Sequence, residues 1–275
     1  MSLLNHSPRR SEQNAARGAN PRVGIIIPAC DEEPCIAPVL AELLRAVEAR
    51  DYVVAVGVNG SSDRTAEIAR RFPVVVAETT ERGYGHGCMA AIEALTAAHP
   101  TVAAFVFFAA DGASDPRDVP ALVSEFDRGC AMVLGARTGL TANWRTMTAP
   151  HVLANFALAL WAGSLTGHWF TDLAPLRLIG RDLFRSMELR EMTFGWTMEA
   201  QVGAAMLGAR ISEVPARERL RLAGEQKVSG VSFRRTLSIG CRIVAAGRRA
   251  RVRFRRSDGA ARREGELVTP SVVSL

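Results

Sequence analysis

Three clusters of acidic, amide and hydroxyl residues each follow a short apolar run in this 275-residue sequence. They read Pro28-Ala-Cys-Asp31-Glu32-Glu33, Asn59-Gly60-Ser61-Ser62-Asp63 and Asp111-Gly112-Ala-Ser114-Asp115-Pro116. Side chains of these types can bind a polar ligand, or they can cap the helix that follows them. For Asp63 and Asp115 we favour capping, because it explains both residues without a ligand.

A fourth region, Gly83-Tyr84-Gly85-His86-Gly87, is rich in glycine. It does not fit the dinucleotide-binding fingerprint, because the third glycine of that pattern would fall at Cys88. The glycines still predict a backbone that bends sharply into a helix. The amides of this turn and the neighbouring Arg82 could approach a diphosphate, as helix N-termini do.

The elements that position these clusters are visible as apolar runs separated by segments of helical length. The runs lie at 23–27, 53–58, 74–77, 103–108 and 131–134. After the first run, apolar residues from Ile36 to Val47 have the i, i+3, i+4, i+7 spacing of a helix with one buried face. The alternation predicts a mostly parallel α/β sheet with helices on both faces. Ligands bind beyond the carboxyl ends of such strands, so we expect the clusters to face one crevice.

The composition is that of a globular protein with a substantial core. Hydrophobic residues make up 48% of the chain, which suits one large α/β domain or two small ones. The five cysteines are scattered, so neither a disulfide framework nor a zinc site is predicted, and we expect a reducing, cytoplasmic location. Residues 1–21 lack the apolar run of a secretory signal and are expected to form a flexible leader.

Positive charge is concentrated near the C-terminus. Residues 234–263 contain eleven arginines and one acid, Asp258, although the whole chain carries a net charge of only +6. A basic segment of this kind could bind nucleic acid, lie on an anionic membrane or form a solvated end. We expect no nucleic-acid partner, because no nucleic-acid-binding module is visible and Phe254 is the one aromatic residue in the segment.

The segment 151–170, HVLANFALALWAGSLTGHWF, has no charged residue and is long enough to span a bilayer. Asparagine, glycine and histidine residues dilute its apolar character, and it runs directly into a polar motif at Asp172. We therefore expect a buried or interfacial helix rather than a membrane span. His151 and His168 are interpreted as core or interface residues, because neither has a second metal-ligand residue at helical spacing.

The stretch from Thr171 to Gly230 combines short motifs in a definite order. They are Asp172-Leu-x-Pro-x-Arg177, Gly195-Trp196-Thr197-x-Glu199, Glu213-Val214-Pro215, and Arg221 followed by Gly224, Lys227 and Gly230. This order resembles the acceptor half of bacterial family 2 glycosyltransferases, in particular the polyprenyl-phosphate sugar transferases. The resemblance extends back to Val23. It implies an enzyme of hexosyltransferase type with a GT-A-type α/β fold and a nucleotide diphospho-sugar as donor.

The resemblance assigns the strand-end clusters to the donor. The residues expected to bind the nucleotide sugar are Pro28, Asp31, Glu33, Asn59, Ser61, Arg82, Gly83, Asp111 and Gly112. In the family, an Asp-x-Asp pair binds a metal ion that bridges the diphosphate. Here Ala109 replaces the first acid, so Asp111 is the expected ligand of Mg²⁺ or Mn²⁺, and Val58 replaces the usual acid after the second strand. Magnesium commonly manages with one or two carboxylates plus substrate phosphates and water.

The acceptor motifs favour a lipid phosphate. Relatives that deliver a sugar to a hydroxyl use an acidic pair as general base, and Trp196-Thr197 stands at that place here. A polyprenyl phosphate is already an anionic nucleophile and needs no base.

The resemblance also assigns residues to the acceptor. Arg137, Arg221 and Lys227 match positions at which lipid-phosphate relatives place cations, and guanidinium groups suit phosphate well. Any one of the three alone could equally be a solvated surface cation. Asp172 is expected to orient the sugar or acceptor, so Asp111 and Asp172 are the predicted catalytic residues.

The predicted organisation is a leader over 1–21, a glycosyltransferase domain over 22–247 and a basic, flexible tail over 248–275. The expected reaction inverts the sugar and takes place at the cytoplasmic face of the membrane. Two alternatives stay open. The replacements at Val58 and Ala109 leave room for a non-catalytic binding or scaffolding protein, and a nucleotidyltransferase on a related fold would leave residues 171–230 unexplained.

Overall fold

The computed structural model describes residues 23–47, 52–147, 149–223 and 233–267. The predicted leader at 1–21 and the candidate phosphate ligand Lys227 lie outside the described residues. The strands are β1 (Val23–Ala29), β2 (Tyr52–Asn59), β3 (Val75–Thr79), β4 (Ala104–Phe107), β5 (Met132–Ala136), β6 (Arg177–Gly180) and β7 (Ile211–Pro215). The α-helices are α1 (Glu33–Ala46), α2 (Thr65–Ala69), α3 (Tyr84–Ala98), α4 (Val119–Asp127), α5 (Ala149–Thr166), α6 (Arg181–Met187), α7 (Trp196–Met206) and α8 (Phe233–Leu267).

The strands form one mixed sheet in the order β3-β2-β1-β4-β6-β5-β7. Strand β1 pairs in parallel with β2 and β4, β2 with β3, and β5 with β7. Strand β6 lies between β4 and β5 and runs antiparallel to both. The predicted α/β fold with a mostly parallel sheet is therefore confirmed, and all five predicted strands are present. Strands β6 and β7 were not predicted.

Two hydrophobic cores cover the two faces of the sheet. Alternate residues of β1 point to opposite faces: Ile25 and Ile27 pack with Ile36 of α1, whereas Ile26 packs with Cys88 of α3. This is the two-residue period of a strand buried on both sides. Helices α1, α2 and α4 contribute to one core, and α3, α5, α7 and α8 contribute to the other.

The C-terminal basic segment is part of the fold. Helix α8 spans the boundary predicted at residue 248, and the chain is helical as far as Leu267 rather than a flexible tail. Phe254 of α8 is 4% exposed and packs on Gly203 of α7. Arg253 pairs with Glu199 at 2.9 Å. The globular domain therefore extends past residue 247.

Helix α5 covers most of the uncharged segment. It buries Asn155, Ala159 and Ala162 but leaves Leu153 69% exposed and Phe156 47% exposed. Within the described residues, no helix is both long enough and apolar enough to cross a bilayer.

Candidate active site

The strand-end clusters meet at one edge of the sheet, because β2, β1 and β4 are adjacent and parallel. The first two clusters are joined directly. The Asp31 amide donates to Ser61 Oγ at 2.9 Å, and the Ser62 amide donates to Asp31 Oδ1 at 2.7 Å. Hydrogen bonding from Ser62 and the nearby Arg82 charge hold the pKa of Asp31 below its usual value of 3.8, against a smaller opposing effect of burial. Asp31 is therefore anionic at neutral pH.

Arg82 and Gly83 lie beside the loops that follow β1 and β2. The Arg82 side chain donates to the Gly60 carbonyl oxygen at 3.0 Å and to Asp31 Oδ2 at 3.3 Å. Gly83 precedes α3 with a φ of 148°, and a Cβ there would lie 2.4 Å from the Met192 carbonyl oxygen. Only glycine fits this turn without strain. Arg82 therefore bridges the loops after β1 and β2 beside the first turn of α3.

Pro28 and Asn59 line the same turn from the sheet. A Cβ on Gly87 of α3 would lie 2.7 Å from Asn59 Oδ1 and 3.1 Å from Pro28 Cβ. The helix thus approaches the strand ends closely enough to exclude any side chain at that position. Both residues therefore pack against α3 at the carboxyl ends of their strands.

Asp115 caps the helical turn that follows it, as the sequence favoured, whereas Asp63 stands one residue before Arg64, the N-cap of α2. Asp63 accepts from the Thr65 amide at 3.0 Å and also from the Glu33 amide at 2.9 Å. Asp115 is fully buried and accepts from the Arg117 amide at 2.9 Å. Each therefore fixes a helix start or a neighbouring loop.

Glu33 forms an ion pair with Arg64 at the surface. The hydrogen bonds from Arg64 keep the pKa of Glu33 below its usual 4.5.

Asp111 is held at the end of the third cluster. Its Oδ1 accepts from the Ala113 amide at 3.0 Å, and its side chain is 29% exposed. Gly112 follows with a φ of 83°, which lets the loop turn under Leu222. The second oxygen, Oδ2, lies 3.4 Å from Nη1 of Arg221, and the same guanidinium forms an ion pair with Glu32. A hard oxygen ligand with partial exposure suits Mg²⁺ or Mn²⁺, provided that a diphosphate and water complete the coordination.

A buried ion pair joins Arg137, which follows β5, to Asp172. Arg137 donates through Nε and Nη2 to the two oxygens of Asp172, both at 2.9 Å, and its amide adds a bond of 2.8 Å. Asp172 is fully buried and also accepts from Asn155 of α5. Burial acts to raise the pKa of Asp172, but the hydrogen bonds and charge of Arg137 outweigh it and hold the pKa below 3.8. The pair is therefore charged and orients Arg137.

Glu218 is a site residue that the sequence did not suggest. Its carboxylate lies 3.4 Å from Nη1 of Arg137, and its amide donates to Asn143 Oδ1 at 2.9 Å. Burial raises the pKa of Glu218 above 4.5; Asp111 and Asp172 act in the same direction, and Arg137 opposes them. Glu218 is thus a further carboxylate close to both Asp111 and Asp172. Its place three residues after Glu-Val-Pro is the signal that could have identified it.

Two motif residues hold the scaffold instead of lining the crevice. Arg177 is fully buried, contacts the Phe107 ring at 4.8 Å from its centroid, and donates to the Tyr84 hydroxyl at 3.1 Å. Glu199 accepts from two consecutive backbone amides, of Arg190 and Glu191. The acceptor motifs therefore combine one ion pair at the crevice with two structural anchors.

The order and pairing of the strands are those of a GT-A-type fold. The solved structure of glucosyl-3-phosphoglycerate synthase from Mycobacterium tuberculosis, in complex with Mn²⁺, uridine diphosphate and phosphoglyceric acid, superposes with a TM-score of 0.62. The match covers 90% of this chain and 84% of that chain at 19% identity. The chain belongs to glycosyl transferase family 2, whose model matches residues 24–185.

Two relatives match across most of their length. A dolichyl-phosphate hexose transferase of Haloferax volcanii is 32% identical over 233 residues, which is 84% of this chain and 96% of the relative. An undecaprenyl-phosphate mannosyltransferase of Micrococcus luteus is 30% identical over 226 residues, 76% of this chain and 88% of the relative. The protein is therefore a glycosyltransferase, and the alternative of a non-catalytic scaffold has no support among these relatives.

Proposed function

We propose that this glycosyltransferase moves a sugar from a nucleoside-diphosphate donor to a polyprenyl phosphate, with inversion at the sugar carbon. The observation that carries the proposal is the arrangement of the crevice. Asp111 and Arg221 stand on its donor side, and the Asp172–Arg137 pair stands on its acceptor side. The dolichyl- and undecaprenyl-phosphate relatives support the choice of acceptor.

The donor side suits a diphosphate. We assign Pro28, Asn59 and Ser61 to the nucleoside, and Arg82 with the α3 turn at Gly83 to the phosphates. A helix N-terminus and a guanidinium both favour an anion. Asp31 and Glu33 bind the loops on which these groups stand, as their hydrogen bonds to Ser62 and Arg64 indicate.

We propose Asp111 as the protein ligand of a divalent cation, with Mn²⁺ favoured by the manganese in the glucosyl-3-phosphoglycerate synthase complex. When bound, such an ion stabilises the negative charge that builds on the departing diphosphate. Asp111 holds its place through the Ala113 amide, and we assign Gly112 to the same ligand.

On the acceptor side, Arg137 binds the acceptor phosphate and Asp172 acts through Arg137. The full burial of Asp172 supports this positioning role, which replaces the direct contact expected from the sequence. A phosphate monoester needs no base, consistent with the buried Trp196 at the place where hydroxyl-using relatives carry an acid. Lys227 is retained as a further candidate phosphate ligand.

A lipid acceptor is embedded in a membrane, so the enzyme needs a surface that can contact the membrane. Helix α5 provides such a surface. Leu153, Phe156 and Leu160 are exposed on this helix, and Trp169 follows at 79% exposure. Arg248 of the neighbouring α8 lies over the Trp161 ring of α5. An apolar face beside arginines favours peripheral binding to anionic lipids. We place the enzyme on the cytoplasmic face of the membrane.

A transfer assay tests the acceptor. Radiolabelled UDP-, GDP-, CDP- and dTDP-sugars are offered with a short-chain polyprenyl phosphate or the corresponding alcohol, with Mn²⁺ or with chelator. We expect transfer to the phosphate alone and only with metal. Transfer to the alcohol at an equal rate would overturn the phosphate acceptor. A thermal-shift panel of the same nucleotides provides a separate check of donor binding, with about 2.7 kcal/mol of stabilisation at 100 times Kd.

A further inference from the structure

The segment after β7, residues 216–223, lies across the donor side of the crevice and is called the strap below. It runs beside the Asp111 loop. The Arg219 amide donates to the Ala113 carbonyl oxygen at 2.8 Å, and the Leu222 amide donates to the Asp111 carbonyl oxygen at 3.0 Å. The Arg219 side chain binds both oxygens of Glu42, at 2.7 and 2.9 Å. The strap is therefore anchored on the loop that carries the proposed metal ligand.

Arg221 points from the strap into the crevice. Its side chain is 9% exposed and stands between Glu32, with which it forms an ion pair, and Asp111 Oδ2 at 3.4 Å from Nη1. Its Nε donates to the Ala223 carbonyl oxygen at 2.6 Å. Asp111 Oδ1 accepts from the Ala113 amide, whereas among the described residues Oδ2 is contacted by Arg221. A cation that binds Asp111 through Oδ2 therefore meets Arg221.

We infer that Arg221 and the divalent cation compete for Asp111 Oδ2, and that Arg221 transfers to the diphosphate when metal and nucleotide bind together. This inference rests on the proposed function and gives Arg221 a donor-side role in addition to the acceptor-side role expected from the sequence. Two cations against one carboxylate oxygen repel each other, so either can be accommodated only by moving the other. The negative charge of a bound diphosphate allows the metal ion and Arg221 to remain in the site together.

The strap makes such an exchange possible without loss of its anchor. Arg217 pairs with Asp118 and Arg219 pairs with Glu42, so two ion pairs that do not involve Asp111 hold the strap in place. Only the Arg221 side chain has to turn. A metal ion without nucleotide therefore competes with Arg221 for Asp111, whereas a metal ion with nucleotide binds together with Arg221.

Isothermal titration of Mn²⁺ into the full chain tests the inference, with and without saturating UDP. Without nucleotide, Arg221→Gln should bind Mn²⁺ about tenfold more tightly than wild type. With UDP the order should reverse, because the variant has no guanidinium for the diphosphate. Arg185→Gln is the control: it removes the same charge at an exposed position of α6, outside the strap and away from its ion pairs, and should titrate like wild type in both conditions.

Arg221→Lys guards against a folding defect, because loss of the guanidinium leaves Glu32 without this partner. A lysine can pair with one of the two acids at a time, so its Mn²⁺ affinity without nucleotide should lie between those of wild type and Arg221→Gln. Equal or weaker Mn²⁺ binding by both variants without nucleotide overturns the inference. If the wild type binds no Mn²⁺ in either condition, the proposed metal site at Asp111 fails instead.

Discussion

At the scale of single residues, each buried arginine of the crevice is shared between two carboxylates. Arg137 is shared by Asp172 and Glu218, and Arg221 by Glu32 and Asp111. Charges removed from water in this way are costly to leave unpaired, although the intact pair itself adds little net stability. We therefore expect replacement of these acids to change the stability of the fold as well as the activity.

Asp172→Asn should lower the free energy of unfolding by about 3–5 kcal/mol, because it leaves the guanidinium of Arg137 buried without its main counter-charge. Urea denaturation at pH 7 measures the loss. Asp182→Asn, at an exposed position in the first turn of α6, is the control and should change stability by less than about 1 kcal/mol. Equal stability of the two variants would show that the buried pair does not support the fold.

Glu218→Gln should alter the pH dependence of stability in a definite direction. The folded-state pKa of Glu218 lies above the value of 4.5 expected in the unfolded chain. The contribution of Glu218 is therefore fully present below pH 4.5 and is lost as the pH rises through the folded pKa. As the pH rises through this window, the free energy of unfolding of Glu218→Gln should increase relative to that of wild type. Above the window the difference should stay constant.

Urea melts between pH 4 and 8 measure this difference. Glu93→Gln, which removes an exposed acid from α3, corrects for the general change in net charge. A difference between Glu218→Gln and wild type that stays flat or falls with pH would contradict the assignment of a raised pKa to Glu218.

Asp111→Asn should reduce transfer by about a hundredfold, as the loss of a main electrostatic stabiliser does. Ala109→Asp should act oppositely on binding, because it places a second carboxylate beside the diphosphate-bound metal. Calorimetric Mn²⁺ titration in the presence of a nucleoside diphosphate compares the two variants with wild type. Identical titrations in all three proteins would remove Asp111 as the metal anchor.

At the scale of elements, α5 combines a buried polar contact with an exposed apolar face. Asn155 reaches Asp172 from its inner side, while Leu153 and Phe156 project from its outer side. The helix that orients the acceptor-side ion pair is thus the helix that we place on the membrane. A lipid phosphate entering along α5 would meet Arg137 directly.

Phe156→Ser should weaken binding to anionic vesicles by on the order of tenfold, given the 1.5–3 kcal/mol that burial of a large apolar side chain contributes. Vesicle cosedimentation measures the change. Stability should move by no more than about 0.5 kcal/mol, because the side chain is exposed. Met89→Ser, an exposed apolar position on α3, is the matched control. Equal vesicle binding by all three proteins would exclude the α5 face as the docking surface.

The sequence predicts five strands correctly because each is a short apolar run and segments of helical length separate most of them. It misses β6, which has four residues and begins with the buried Arg177, and β7, which has two adjacent polar residues in its centre and ends in proline. The strand-end position of Asp111 follows from the same pattern. Its contact with Arg221 does not, because 110 residues separate the two and only the strap brings them together.

At the scale of the whole molecule, the concentration of arginines near the C-terminus lies on helix α8, which completes one of the two hydrophobic cores. Ile239, Ile243 and Phe254 of α8 are buried against the α5 and α7 side of the sheet. Arg249 and Arg253 pair with Glu191 and Glu199. Basic residues of α8 therefore stabilise the fold, in addition to any contact that they make with an anionic surface.

Two truncations separate these roles. Deletion of residues 248–275 removes Phe254 and Arg253 and should lower the free energy of unfolding by at least about 3–5 kcal/mol. Deletion of residues 256–275 keeps both and should change stability little while weakening binding to anionic vesicles. Thermal melts and vesicle cosedimentation on both proteins measure the two effects. Equal stability of the two truncations would show that α8 does not complete the core.

The position of β6 has a consequence for biosynthesis. Strands β4 and β5 are neighbours along the chain, yet each pairs with β6, whose residues follow α5. A nascent chain released from the ribosome only as far as α5 would leave one edge of β4 and both edges of β5 unpaired, because β6 and β7 follow α5. Strand β4 therefore gains its second neighbour only after Asp172, which precedes β6 in the chain, has been synthesised.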